Sequence, residues 1–130
     1  MLDRIDLHVD VPLVEYRELS SERPNGTPSS EIRARVSEAR AVQHRRLLGK
    51  GASTNSTMSP RQVREHCKLD STGAGYMEHA MEQMNFSARA HDRILKVART
   101  ISDLAGSETI RPDDVLEAIQ FRSLDRKLFA

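Results

Sequence analysis

From Phe86 onward the apolar positions fall at three- and four-residue steps: Ala90, Ile94, Val97, Ala98, Ile101, Leu104 and Ala105. At 3.6 residues per turn they make one stripe, which predicts a long amphipathic helix with that stripe against a core. Ser87 can cap it and Gly106 closes it. Pro112 then starts a second helix with Asp113 and Asp114 in its first turn, where carboxylates favour the positive end of the helix dipole. Val115, Leu116 and Ile119 are expected to face inward.

The chain opens on a different period. Ile5, Leu7, Val9 and Val11 alternate with Asp6, His8 and Asp10, which predicts a half-buried strand ended by Pro12. One strand cannot satisfy its own backbone, so this remnant points to a piece of a larger protein. ELSSERPNGTPSS (18–30) reads as a mobile linker. Ser29 or Ser30 then caps a helix to about Leu48, with Ile32, Val36, Ala39 and Leu47 on one side. Arg33, Arg35, Arg40, Arg45, Arg46 and His44 on its other faces read as a solvated cationic surface.

The Gly/Ser/Thr/Asn run from Gly49 to Met58 is expected to be flexible. LLGKGAST has some likeness to a phosphate loop, but the position that needs its first glycine is His44, and the segment follows a helix instead of a strand. Ser59, Pro60 and Gln62 start a short helix ending near Cys67. Asp70 caps the next, with Ala74, Met77, Ala80, Met81 and Met84 as core, Gly73 and Gly75 loosening its first turn and Asn85 as its left-handed stop. The pattern is therefore mainly α, a small helical bundle of four to five helices preceded by one remnant strand and a linker. The boundaries are 1–17, 18–28 and 29–130, the last ending in a frayed tail from Ser123 to Ala130.

Charge and composition narrow the function classes. Twenty basic residues against 19 acidic ones leave a net +1, so bulk charge gives no sign of a dedicated nucleic-acid binder and any basic surface must be local. A single cysteine, Cys67, excludes an internal disulfide and is expected to be a small buried apolar residue. With no signal peptide or long apolar run the chain is expected to be cytoplasmic, with no membrane partner. His66 and Cys67 have no second ligand pair at zinc-like spacing, so no metal site is expected. Asp92 and Lys96 read as a surface pair four residues apart. Arg89, Arg93, Lys96 and Thr100 run along one edge of the long helix's stripe; they are either solvated cations bordering a buried face or the wall of a phosphate site.

SARAHDRILKVARTISDLAGSETIRPDDVLEAIQFRSLDR resembles the C-terminal helical lid of AAA+ ATPases of the magnesium-chelatase type, most closely their bacterial competence-related ComM/YifB branch. LDRIDLHVDVP (2–12) resembles the segment that precedes the lid in that family. The resemblance implies a mechanical part of a ring ATPase, commonly a hexamer. ATP and Mg2+ would be held by the parent, with none expected on this chain alone, and the partners would be the rest of the core and the neighbouring subunits. Walker A and Walker B motifs are absent, so the chain alone should be inactive. For the ComM branch the resemblance implies ATP-driven branch migration on DNA during natural transformation. A lid of a true magnesium chelatase is the alternative within the family; an independent helical nucleic-acid-binding module is the alternative outside it.

Two site residues follow from the resemblance. Arg89, in the position of the sensor-2 arginine, would contact the terminal phosphates of ATP; an arginine suits this because its fork stays charged and can donate twice. Arg4, in LDRID, resembles the arginine finger that reaches the neighbouring subunit's site and stabilises transition-state charge there.

Overall fold

The computed structural model describes residues 5–9, 11–13, 15–20 and 26–122. Its helices, in chain order, are α1 (Tyr16–Ser20), α2 (Ser29–Leu47), α3 (Pro60–His66), α4 (Ser71–Met84), α5 (Ala88–Leu104) and α6 (Pro112–Gln120), with a 3-10 turn at Asn55–Thr57 between α2 and α3. Helix α5 is the centre: α2, α3, the 3-10 turn and α6 all pack on it, and α4 packs on α6.

Local chemistry sets most helix ends. Ser59 Oγ accepts from the Gln62 amide while Gln62 Oε1 accepts from the Ser59 amide, and Gln62 Nε2 also ties down the Lys50 carbonyl. Asp70 caps α4 through the Gly73 amide at 2.7 Å, and Ser87 caps α5 through the Ala90 amide at 3.1 Å. Asn85 stops α4 at φ 52°, a left-handed conformation that asparagine tolerates. At α2 the expectation fails: Pro28 holds the N-cap position, so neither Ser29 nor Ser30 caps the helix.

The core is aliphatic, built on Leu47, Val63, Met77, Ile94, Ala98 and Val115 with Cys67 among them. Burial pushes the Cys67 thiol up to about 11, which leaves it protonated and unreactive at neutral pH. On α5, Leu95 is buried and Leu104 and Ala105 are exposed, because the stripe passes the end of the bundle there. Leu116 of α6 is likewise exposed instead of inward.

On α4 the first-turn residue facing the core is Gly73, not Ala74. A Cβ at Gly73 would stand 3.1 Å from Asp70 Oδ1 and 3.5 Å from Val115 Cγ2, so the glycine lets the cap and α6 close in. Gly75 has nothing within 4 Å of such a Cβ. Gly75→Ala is therefore expected to raise stability by about 0.5–1 kcal/mol, the helix-propensity difference, read as a higher urea midpoint with unchanged slope.

The N-terminal segment departs from the expected strand. Among the described residues there is no strand, and the expected alternation is not kept: His8 is 7% exposed whereas Val9 is 62% and Val11 81%. Among the described residues no strand lies beside it. Instead the His8 amide donates to the Phe121 carbonyl at 2.7 Å, and Arg122 Nη1 donates to the Ile5 carbonyl at 2.7 Å. The segment is thus moored to the end of α6, which turns His8 inward and the apolar residues outward. Residues 21–25 of the expected linker and the tail from Ser123 lie outside the described residues, while the linker's first residues belong to α1.

Buried polar groups hold the bundle's ends. The Asp103 side chain on α5, 0% exposed, accepts from Arg46 Nη2 at 2.6 Å and Nη1 at 3.1 Å, from Arg99 Nη2 at 3.1 Å, and from Asn55 Nδ2 at 3.0 Å. Asn55 also donates through Nδ2 to Thr100 Oγ1, and its amide donates to Gln43 Oε1. Arg99 reaches on to the carbonyls of Ser107 and Glu108, which fixes the α5–α6 connector. Two expectations are corrected here. Arg46 is an internal ion-pair partner and not a solvated cation, and the Asn55 stretch is pinned instead of flexible. The pinning works because a carboxylate with two oxygens can satisfy donors from three segments at once.

Two acid-sensitive groups follow from the packing. Burial, together with the charges of Lys50, Arg46 and Arg99, holds His66 below its ordinary 6.5 against the opposing pull of Glu65. For Asp114, burial pushes upward, but the hydrogen bonds from the Arg111 side chain and amide, with the Arg111 charge, outweigh it and hold the carboxyl below 3.8. Both folded values are depressed, so in each window the unfolded chain binds more protons and stability falls as pH falls. Urea midpoints are expected to decline first as pH drops through 6.5 and again below 3.8. His66→Gln should flatten the first step and leave the second.

Candidate anion-binding site

Arg89, Arg93 and Lys96 sit at i, i+4 and i+7 on α5, one stripe beside the buried one. Together with Asp92, Asp6 of the N-terminal segment and Ser56 of the 3-10 turn they line an open pocket of about 350 Å³. Three cations face two carboxylates, so the pocket carries one excess positive charge. Arg93 Nη1 pairs with Asp6 Oδ1 at 2.5 Å, and Lys96 Nζ donates to the Ser56 carbonyl at 3.2 Å. Asp92 turns to His91 Nδ1 at 3.2 Å, so the expected pairing with Lys96 is replaced by that contact.

Arg89 is exposed and has no hydrogen-bond or ion-pair partner among the described residues. It lies in the first turn of α5, at the positive end of the helix dipole, where a cation is unfavourable by about 0.3–1 kcal/mol. Among the described residues no contact of the fold uses an arginine there. An anion placed in the pocket would find a free guanidinium, the flanking positive charges and a helix N-terminus together.

Of the residues expected to carry chemistry, Arg89 stands at this pocket and Arg4 lies outside the described residues. Thr100, on the same edge, belongs instead to the Asn55 cluster. Asp6 and Ser56 were not foreseen as pocket residues, since they come from 87 and 40 residues away in sequence. Among the described residues no cluster of three or more His, Cys, Asp or Glu could hold a metal ion, and no helix is long and apolar enough to cross a membrane.

Residues 26–122 match the family model for the C-terminal domain of magnesium chelatase subunit ChlI, and the chain belongs to that family. Within it, the chain is 34% identical over 127 residues to competence protein ComM of Haemophilus influenzae and 35% identical over 127 residues to protein YifB of Escherichia coli. Both alignments cover 98% of this chain and 24% of the relative, so the chain spans about a quarter of the length of these relatives.

Proposed function

We propose that this chain is the lid of a ring-forming AAA+ ATPase subunit and that Arg89 binds the terminal phosphates of ATP held by the rest of that subunit. The observation that carries the proposal is Arg89 itself: exposed, unpartnered among the described residues, and placed at the positive end of a helix beside two further cations. The pocket residues fit a polyphosphate on one side only. ATP and Mg2+ would be held chiefly by the core, whose Walker motifs this chain lacks. Loss of the γ-phosphate then removes the partner of Arg89 and loosens the lid, and Arg4 would serve the neighbouring subunit's site. The resemblance to the ComM branch supports DNA as the substrate of the ring, with branch migration as the work done.

In the ATPase subunit that carries this domain, Arg89→Ala is expected to lower ATP turnover by about 10²-fold or more, the usual loss when one charge-stabilising donor is removed from a phosphoryl-transfer site. Stability should be unchanged or slightly higher, because the substitution removes a cation from the helix start. Unchanged turnover and nucleotide affinity would remove the phosphate role.

A second reading rests on a separate observation: Arg33, Arg35, Arg40, His44 and Arg45 are all exposed along α2. A helix of this kind could grip a nucleic-acid backbone directly. That reading predicts duplex affinity for this chain alone, falling steeply with added salt. The lid reading predicts only weak, sequence-independent binding, and fluorescence anisotropy across a salt series separates the two.

A further inference from the structure

We infer that Arg93 is a second phosphate ligand, held in reserve by Asp6. The inference rests on the phosphate reading of the pocket and adds its regulation: the Asp6 carboxylate occupies Arg93 until a polyphosphate displaces it.

Arg93 lies one turn beyond Arg89 on the same stripe of α5, and both line the same pocket. Its present partner, Asp6, reaches it from 87 residues away. The pair is partly wet, with 29% of the Arg93 side chain and 47% of the Asp6 side chain exposed. Ion pairs in such surroundings contribute about 0–1 kcal/mol, weak enough to exchange. A polyphosphate offers Arg93 more acceptor oxygens and more negative charge than one carboxylate, and its arrival would also relieve the unpaired Arg89.

Exchange has a defined structural consequence. Asp6 belongs to the segment moored at the end of α6 by the His8–Phe121 and Arg122–Ile5 hydrogen bonds. Those bonds do not involve the pocket. Displacing Asp6 therefore releases the segment at one point and keeps it at the other, so that ligand in the pocket is signalled to the chain that precedes the bundle.

Tripolyphosphate binding to the ATPase subunit that carries this domain, measured by titration calorimetry at low salt, tests the inference. Wild type should bind, and Arg89→Ala should weaken binding. Asp6→Asn should tighten it by about twofold to fivefold, the fold-change equivalent of losing a competing exposed ion pair. In an Arg93→Ala background the same Asp6→Asn change should make no difference, because its effect passes through Arg93. Asp6→Ala, checked for helix content, repeats the test should the asparagine form a new contact. If Asp6→Asn and Asp6→Ala bind no tighter than wild type while Arg89→Ala still weakens binding, the reserve role of Asp6 is overturned and the phosphate site stands. A gain that persists without Arg93 overturns the assignment of Arg93. If Arg89→Ala binds as tightly as wild type, both the inference and the phosphate reading beneath it fall.

Discussion

Asp103→Ala is expected to destabilise the bundle by about 3–5 kcal/mol, the cost of removing one partner from a buried charge cluster. The mechanism is specific. Arg46 and Arg99 both donate to this carboxylate, and the Arg99 side chain is 5% exposed; without Asp103 two guanidinium groups would share a dry site with no anion. Like-charge repulsion and lost solvation then act together, and the Asn55 turn loses one of its anchors. For a domain with a typical stability of about 5–15 kcal/mol, this is a large share of the total. Thermal unfolding should show a drop of more than about 10 °C. Replacing the three charges at once, Arg46→Met with Arg99→Met and Asp103→Leu, should recover most of the loss, since a packed apolar cluster needs no counter-charge. A single Asp103→Ala variant within about 1 kcal/mol of wild type would show that water reaches the cluster and that it is not the clamp described above.

The second large effect lies in α2 and depends on where along the helix the substitution is made. Leu47 is 0% exposed and packs within the core, so Leu47→Ala should cost about 2–5 kcal/mol through lost burial and the cavity left behind. Ile32 lies on the same side of the same helix, yet it is 47% exposed because the N-terminal half of α2 runs past the bundle. Ile32→Ala should cost no more than about 0.5 kcal/mol. Chemical denaturation of the two variants measures both. Equal losses would mean that the start of α2 is covered in solution by something that packs as tightly as the core.

That contrast shows where sequence reading holds and where it stops. Helix ends were legible because caps act over three or four residues: Ser59, Asp70, Asn85, Ser87 and Pro112 each work within one turn. Periodicity located the apolar side of α2, but it carries no information on how far a neighbouring helix extends along it. The Asp103 cluster was illegible for the same reason. Arg46 and Asp103 are 57 residues apart, and an arginine on a polar helix face looks identical whether its partner is a carboxylate or water. Asn55 was misread because turn-forming residues have the same composition in a mobile loop and in an anchored one.

The candidate site divides along the same line. The step from Arg89 to Arg93 to Lys96 places them on one edge from the sequence alone, and the structure puts all three at one pocket. Asp6 could not be foreseen, because the strand expected at the start of the chain would have placed it by sheet pairing, and the mooring to α6 places it instead. Arg4 lies outside the described residues.

The phosphate role proposed for Arg89 requires a γ-phosphate supplied by another part of a larger ATPase. The most direct measurement is the distance from its guanidinium to the γ-phosphate in that ATPase bound to a non-hydrolysable ATP analogue. A separation of about 2.7–3.2 Å, hydrogen-bond range, is the predicted result. A guanidinium turned to solvent or paired with a protein carboxylate, with the phosphate beyond its reach, would contradict it.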